Sequence, residues 1–323
     1  MKKIKNNFTS MVGILLIVFL TFGCSESNEI EEINDTANTD LNSDINSRGY
    51  ANTSRLVSAE WLKANLNEDK IVVLDVRSEE DYKEGHIPGS VNLLAKSTFQ
   101  TDKDGVKGMI PSSDHIASLL SSVGIESDDT IIIYDGIKNL WSTRGMWALD
   151  VYGHSDSRLL DGSWAYWKNN GFEVSTIDTE IDQSNYNFSG TPNSNLIAGW
   201  DEVLTSVEDP TKIVCDTRSP DEYSGKDVRA DRGGHIPESQ NVNWVLNSSS
   251  ENEQFLDAST LSKIYDDAGI RSENVVYTLC QTAVRATHTW FVLQELLGYP
   301  TVKVYDGSWT EWGNNPDLPI SSR

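Results

Sequence analysis

Cys280 lies between an apolar run, Asn274-Val-Val-Tyr-Thr-Leu279, and a stretch from Ala286 to Leu297 with helical periodicity that stops at Gly298. The run predicts a buried strand, and Cys280-Gln-Thr-Ala-Val-Arg285 a short loop before a helix. A thiol in that place faces unpaired backbone N–H groups and the positive end of the helix dipole. Arg285 closes the loop with a fixed positive charge. Such a setting favours thiolate over thiol and creates an anion site beside it. The competing reading is a buried, inert cysteine.

The elements that must position this thiol occur twice. Ile71-Val-Val-Leu-Asp-Val-Arg77 is echoed by Lys212-Ile-Val-Cys-Asp-Thr-Arg218, and Glu79-Glu-Asp-Tyr82 by Pro220-Asp-Glu-Tyr223. Gly85-His-Ile-Pro88 matches Gly234-His-Ile-Pro237, with Val91-Asn92 set against Val242-Asn243. Tyr152-Gly153 matches Leu297-Gly298, and Asp161-Gly-Ser-Trp164 matches Asp306-Gly-Ser-Trp309. Matched blocks in one order mark an internal duplication. The last two blocks share an offset of 145, which carries Cys280 back onto Asp135. One copy therefore has the thiol and its sibling, with the same strand and loop, has a carboxylate.

Strands such as Ile131-Ile-Ile-Tyr134 and Val302-Lys-Val-Tyr305 lack the polar alternation of a sheet with one wet face. They predict an α/β fold: two tandem domains, each a mainly parallel sheet flanked by helices. The expected organisation is a signal segment over 1–23, an acidic flexible tether over 24–54, a first repeat over 55–180, a linker over 181–195 and a second repeat over 196–323.

These blocks resemble the rhodanese superfamily, specifically its tandem-domain thiosulfate sulfurtransferases. The resemblance rests on Asp75-Val-Arg77 with Gly85-His-Ile-Pro-Gly89, and on Cys215-Asp-Thr-Arg218 with Gly234-His-Ile-Pro237. It also rests on the six-residue Cys280–Arg285 loop and on Tyr305-Asp-Gly-Ser-Trp-Thr-Glu-Trp312. It implies an inactive N-terminal copy and a C-terminal copy that takes a sulfane sulfur onto Cys280. The thiolate would attack the outer sulfur of thiosulfate, release sulfite, and pass the sulfur from its persulfide to cyanide or a thiol. The amides of Gln281, Thr282, Ala283 and Val284 would stabilise the anionic sulfur, and Arg285 the donor's anionic end. No cofactor and no metal is implied.

Rivals are separated by the loop. The phosphatase relatives have five residues between Cys and Arg, where this chain has four. The 3-mercaptopyruvate subgroup carries a small Gly/Ser-rich loop without the closing Arg. Two positions depart from the thiosulfate pattern: Gln281 follows the cysteine where a basic residue is usual, and Glu222 stands where an Arg is frequent. Arg232, with Lys226 and Arg229, lies in an insertion over 225–233 that is a candidate to restore the lost charge. A rival of another class is a binding module that carries a persulfide or senses an anion.

His86 and His235 occur in both copies, so a structural role is expected for them, as for the pairs Asp75/Arg77 and Asp216/Arg218. His288 falls in the first helical turn, within reach of the loop, where tuning of the thiol is the minority reading. With Cys24 lipidated, Cys215 and Cys280 remain and one disulfide is arithmetically possible, but Cys215 reads as a small core residue and two free thiols are expected. No Cys/His/carboxylate spacing suits a metal.

At the N-terminus, Lys2, Lys3 and Lys5 precede an apolar run, Met11 to Leu20, and then Thr21-Phe-Gly-Cys24. A basic flank and an apolar core too short to span a bilayer form an export signal. Gly23-Cys24 resembles a lipoprotein cleavage box, which implies a lipid on Cys24 and a chain exported and anchored to a bacterial membrane by that lipid alone. A plain signal peptide or an uncleaved anchor is the alternative. The formal charge is −23, and loss of 1–23, with three lysines and no acids, leaves −26. That charge argues against nucleic acid or anionic lipid as the main partner. A small anionic donor would need a locally positive pocket.

Overall fold

Ile131, Ile132 and Ile133 are all fully buried, and successive side chains enter different cores on the two faces of one sheet. A strand apolar on both faces requires cover on both faces, which is what parallel crossover connections supply. The computed structural model describes residues 41–154 and 156–322. The signal segment and Cys24 lie outside the described residues.

The first repeat comprises β1 (Leu56–Val57), β2 (Ile71–Asp75), β3 (Val91–Asn92), a hairpin of β4 (Thr101–Lys103) and β5 (Val106–Met109), β6 (Thr130–Tyr134) and β7 (Ser157–Leu160). Its sheet runs β1-β7-β6-β2-β3, parallel throughout. The second repeat comprises β8 (Ile197–Ala198), β9 (Lys212–Asp216), β10 (Gln240–Asn241), β11 (Val275–Leu279) and β12 (Val302–Tyr305). Its sheet, β10-β9-β11-β12-β8, repeats that order in parallel. The central strands β6 and β11 lead into Asp135 and Cys280.

Two cores are private to the repeats. Trp61, Val73, Ile132 and Trp167 build the first, and Val214, Ile236, Tyr277, Trp309 and Trp312 the second. A third core is shared: Met146, Trp147 and Leu149 from the helix Leu140–Val151 join Trp290, Phe291 and Leu293 from the second repeat. These helices are buried on nearly every side because each repeat's inner face is covered by the other.

The structure corrects the C-terminal part of the expected tether; residues 24–40 lie outside the described residues. Residues 41–54 are folded onto both repeats, with a helix over Ser43–Ser47 whose Ile45 is fully buried. Arg48 pairs with Asp161 at 2.7 Å and donates to the Phe255 carbonyl at 3.1 Å. The Ala51 amide donates to the Leu296 carbonyl at 2.8 Å. Composition hid this, because a strap anchored by backbone and one Arg needs few apolar residues. The 181–195 segment is irregular and lies against the first repeat, the Ser184 amide donating to the Ser121 carbonyl at 3.0 Å.

One block of the repeat alignment also shifts. Asn92 and Asn241 hold the same register beside Asp75 and Asp216. Each carboxamide donates to the carbonyls of the neighbouring Asp and Arg. Val91-Asn92 therefore answers Gln240-Asn241, not Val242-Asn243; the second Asn two residues on misled the sequence comparison.

Candidate active site

Cys280 leaves the end of β11 with 1% of its surface exposed. Its backbone is tied on both sides: the amide donates to Ser308 Oγ at 3.2 Å, and its carbonyl accepts from the Trp309 amide at 3.0 Å. Ser308 Oγ also accepts from the Ala283 amide at 3.1 Å and donates to the Tyr305 carbonyl at 2.8 Å. One hydroxyl thus fixes both ends of the tight turn Cys280–Ala283. Ala283 sits at φ +61° and begins the helix Val284–Phe291 with no side-chain cap. A left-handed residue at a helix start turns successive amides into one concavity, an anion-binding arrangement.

The first repeat holds a carboxylate in its version of that cradle. Asp135, fully buried, accepts from the amides of Ile137 at 2.8 Å, Trp141 at 2.7 Å and Ser142 at 2.9 Å. Burial pushes its carboxyl up to about 6 against the pull of those amides. The two loops differ in length, which corrects the expectation of identical loops. Asp135 stands five residues before its helix begins at Leu140, and Cys280 four before Val284. A π turn over Val292–Leu296 inserts the missing residue later. The matching positions are thus Trp141 with Arg285 and Ser142 with Ala286.

Arg285 is not an open positive charge. Its two terminal nitrogens meet the Glu222 carboxylate at 2.7 and 2.9 Å. Burial opposes the Arg285 charge, but Glu222 and the nearby Cys280 sulfur hold its pKa above the ordinary arginine value. Burial likewise works against ionisation of Glu222, yet Arg285 and the Ser219 donors pull that carboxyl down to about 2. The Gln281 carboxamide donates to the Arg229 carbonyl at 2.9 Å, and Arg229 reaches Glu222 at 3.4 Å and Asp227 at 2.7 Å.

Arg232 does not serve the pocket. Its guanidinium donates to the carbonyls of Trp312 at 2.9 Å, Leu318 at 3.0 Å and Gly313 at 3.3 Å, and to that of Asn315. Chain carbonyls, invisible in the sequence, claim the charge. Lys226 pairs with Asp221 at 3.2 Å.

The paired motifs brace the strand ends. Arg77 and Arg218 each grip their Asp, Asp75 and Asp216, at 2.6 Å and lie 4.2 Å above Trp164 and Trp309. His86 and His235 donate from Nδ1–H to the carbonyls of Tyr82 and Tyr223, each at 2.8 Å, and stack on those rings. His288 is fully buried, its Nε2 2.9 Å from the Lys138 carbonyl of the first repeat. Burial drives its pKa down to about 3. It secures the repeat boundary.

The first repeat also shapes the loop. Gln100 donates to the Thr282 carbonyl at 2.9 Å, and a Cβ on Gly108 would fall 2.8 Å from Thr282 Cβ. A cleft of about 580 Å³ opens there, lined by Lys96, Gln100, Lys107, Trp141 and Thr282 among others. Sequence reasoning missed this cleft and Ser308. The only signal for Ser308 was its duplication in the two Asp-Gly-Ser-Trp blocks. Among the described residues, one carboxylate cluster, Glu126, Asp128 and Asp129, has ligand-like spacing, and Lys70 already lies on it at 2.8 to 3.6 Å.

The rhodanese-like domain model matches residues 58–170 and 200–315. The chain is 36% identical over 287 residues to a thiosulfate sulfurtransferase of Corynebacterium glutamicum, covering 84% of this chain and 92% of that protein. It is 34% identical over 287 residues to the sulfur carrier protein TtuD of Thermus thermophilus, covering 84% and 98%. The crystal structure of Tum1 from Saccharomyces cerevisiae has the same fold, with a TM-score of 0.72 at 22% identity over 83% of this chain and 97% of that one. With both repeats matched and relatives aligned along nearly their whole length, this chain is a tandem-domain member of the rhodanese-like family.

Proposed function

We propose that the protein is a sulfurtransferase that carries a sulfane sulfur on Cys280, taking it from thiosulfate or a related donor and passing it to cyanide or a thiol. The observation that carries this reading is the pairing of Cys280 with a preorganised concavity: a turn fixed at both ends by Ser308 and an uncapped helix start. The Cys280 thiolate attacks the outer sulfur of thiosulfate, the S–S bond breaks, and sulfite leaves with its electron pair. The Ala283 amide is committed to Ser308 Oγ, so the persulfide anion is held by the remaining loop amides, those of Gln281, Thr282 and Val284, whose placement costs no reorganisation as the charge moves. Attack by an acceptor nucleophile on the outer sulfur regenerates the thiolate and closes a two-step cycle.

The first repeat supports the cradle's chemistry by analogy, since the corresponding, one-residue longer turn there holds the Asp135 carboxylate on three amides. Likeness to a protein named as a sulfur carrier favours a second reading, in which the acceptor is a partner protein's thiol. Incubation with thiosulfate followed by intact-mass measurement tests the proposal. A gain of about 32 Da, absent in Cys280→Ala and discharged by cyanide, is the expected result. No adduct from thiosulfate, mercaptopyruvate or a polysulfide on folded, reduced protein overturns it. Turnover with cyanide or small thiols separates enzyme from carrier.

A further inference from the structure

The repeat that bears the thiol places a buried carboxylate where an anionic sulfur donor needs positive charge. Glu222, 2% exposed, belongs to the short helix Pro220–Tyr223, where it forms a capping box with Ser219. Ser219 N and Oγ donate to its Oε2 at 3.1 and 3.0 Å, so the carboxylate is fixed before Arg285 reaches it. Arg285 then docks two-pronged, a geometry that saturates both carboxylate oxygens and one edge of the guanidinium. Arg229, the next cation, is itself engaged by Asp227 at 2.7 Å. The local charges cancel. The repeat without a thiol has no such pair: the residue matching Glu222 is the exposed Asp81, beside its own cap Ser78, and the residue matching Arg285 is Trp141.

We propose that Glu222 is a specificity-determining positioning residue that, by neutralising Arg285, turns the Cys280 pocket toward sulfur donors of one negative charge or none and against dianions. The inference rests on the persulfide reading above. With an alkyl persulfide anion, the Cys280 thiolate takes the outer sulfur and a thiolate leaves; with thiosulfate, the leaving group is sulfite. Each exchange conserves charge, but only the second brings two negative charges to a thiolate whose neighbouring cations, Arg285 and Arg229, are already engaged by Glu222 and Asp227. An ion pair held in a partly dry site is less screened than one in water, so removing one partner is felt by the ligand.

Glu222→Gln tests this while keeping the capping box, which accepts Gln as readily as Glu. Cys280 loading is followed by mass against concentration of thiosulfate and of 2-hydroxyethyl persulfide. The expected result is a KM for thiosulfate lower by about tenfold with kcat within about twofold, and an unchanged KM for the persulfide. Glu222→Asp restores a carboxylate and is expected to return the thiosulfate KM toward the wild-type value. Equal shifts for both donors, or an unmoved thiosulfate KM, overturn the proposal. Calorimetric titration of Cys280→Ser protein with thiosulfate, with and without Glu222→Gln, decides it independently of turnover. Tighter binding in the double variant supports it, and equal binding overturns it. If no donor loads the wild-type thiol, the persulfide reading fails while this binding comparison still decides the role of Glu222.

Discussion

Arg144 of the first repeat and Asp306 of the second meet at 2.7 Å with both side chains sealed from solvent. Asp306 also accepts from the Ile110 amide at 2.7 Å, and Arg144 donates to the carbonyls of Phe99 and Gly108. Asp306 opens the Asp-Gly-Ser-Trp block whose Ser308 fixes the Cys280 turn, so the first repeat holds the scaffold of the thiol without supplying a nucleophile. Removing one partner leaves the other charge buried and uncompensated. We expect Arg144→Met to cost about 3–5 kcal/mol in urea unfolding, and Arg144→Met with Asp306→Leu to recover most of it. A single variant as stable as the wild type would show that the boundary does not depend on this pair.

Acid stability should report on His288. Its ring is neutral in the fold down to about pH 3, whereas in the unfolded chain it gains a proton near 6.5. Between those values the unfolded chain binds the additional proton, so this group's contribution rises with pH from about 3 to 6.5 and is constant above. Asp135 and Asp150, pushed up to about 6 by burial, act with the opposite sign between their ordinary value of 3.8 and about 6. The informative quantity is therefore the difference between wild type and His288→Gln. We expect the variant to lose less stability than wild type between pH 7 and pH 5; parallel curves would contradict a neutral His288.

The fold was legible because its signals are local and duplicated. Ile131-Ile-Ile-Tyr134 can only be a strand buried on both faces, and two copies of each block set the number of domains. The thiol's position followed from strand, loop and helix in sequence. What escaped was long-range. Arg285 and Glu222 are 63 residues apart, and nothing in the chain announces that one neutralises the other. Arg232 read as a free cation because its partners are backbone carbonyls, which carry no residue identity. The strap over residues 41–54 was hidden by polar composition, since Arg48, main-chain amides and only two apolar anchors, Ile45 and Tyr50, do its binding. The shorter Cys280 loop was masked by the π turn, which restores the offset of 145 before Gly298.

Cys24 lies outside the described residues, and from its Gly23-Cys24 sequence we propose a lipid anchor there. In a bacterial host, the full chain is expected to incorporate labelled palmitate and to partition into detergent, and Cys24→Ala to do neither. Among the described residues no helix is long and apolar enough to cross a membrane. Label retained in Cys24→Ala would refute the assignment.

Ser308 and Ser163 form a matched pair in which only one neighbour is a thiol. Ser163 Oγ accepts from the Asp135 amide at 2.7 Å and donates to the Asp135 carbonyl at 2.7 Å, as Ser308 does for the turn of Cys280 with different acceptors. Both serines sit in the left-handed region, at φ +53° and +50°, so alanine adds no new backbone strain relative to serine. Ser163→Ala leaves one buried amide without an acceptor and Ser308→Ala two, at a cost of about 1–3 kcal/mol each. Both should therefore destabilise, Ser308→Ala the more, and they should differ in chemistry. Ser308→Ala frees the amides of both Cys280 and Ala283 and loosens the concavity that receives the sulfur, so persulfide formation should slow by about tenfold or more. Ser163→Ala should leave that rate within about twofold. Equal rates in the two variants, measured well below either unfolding transition, would remove Ser308 from the catalytic scaffold and assign both serines to folding alone.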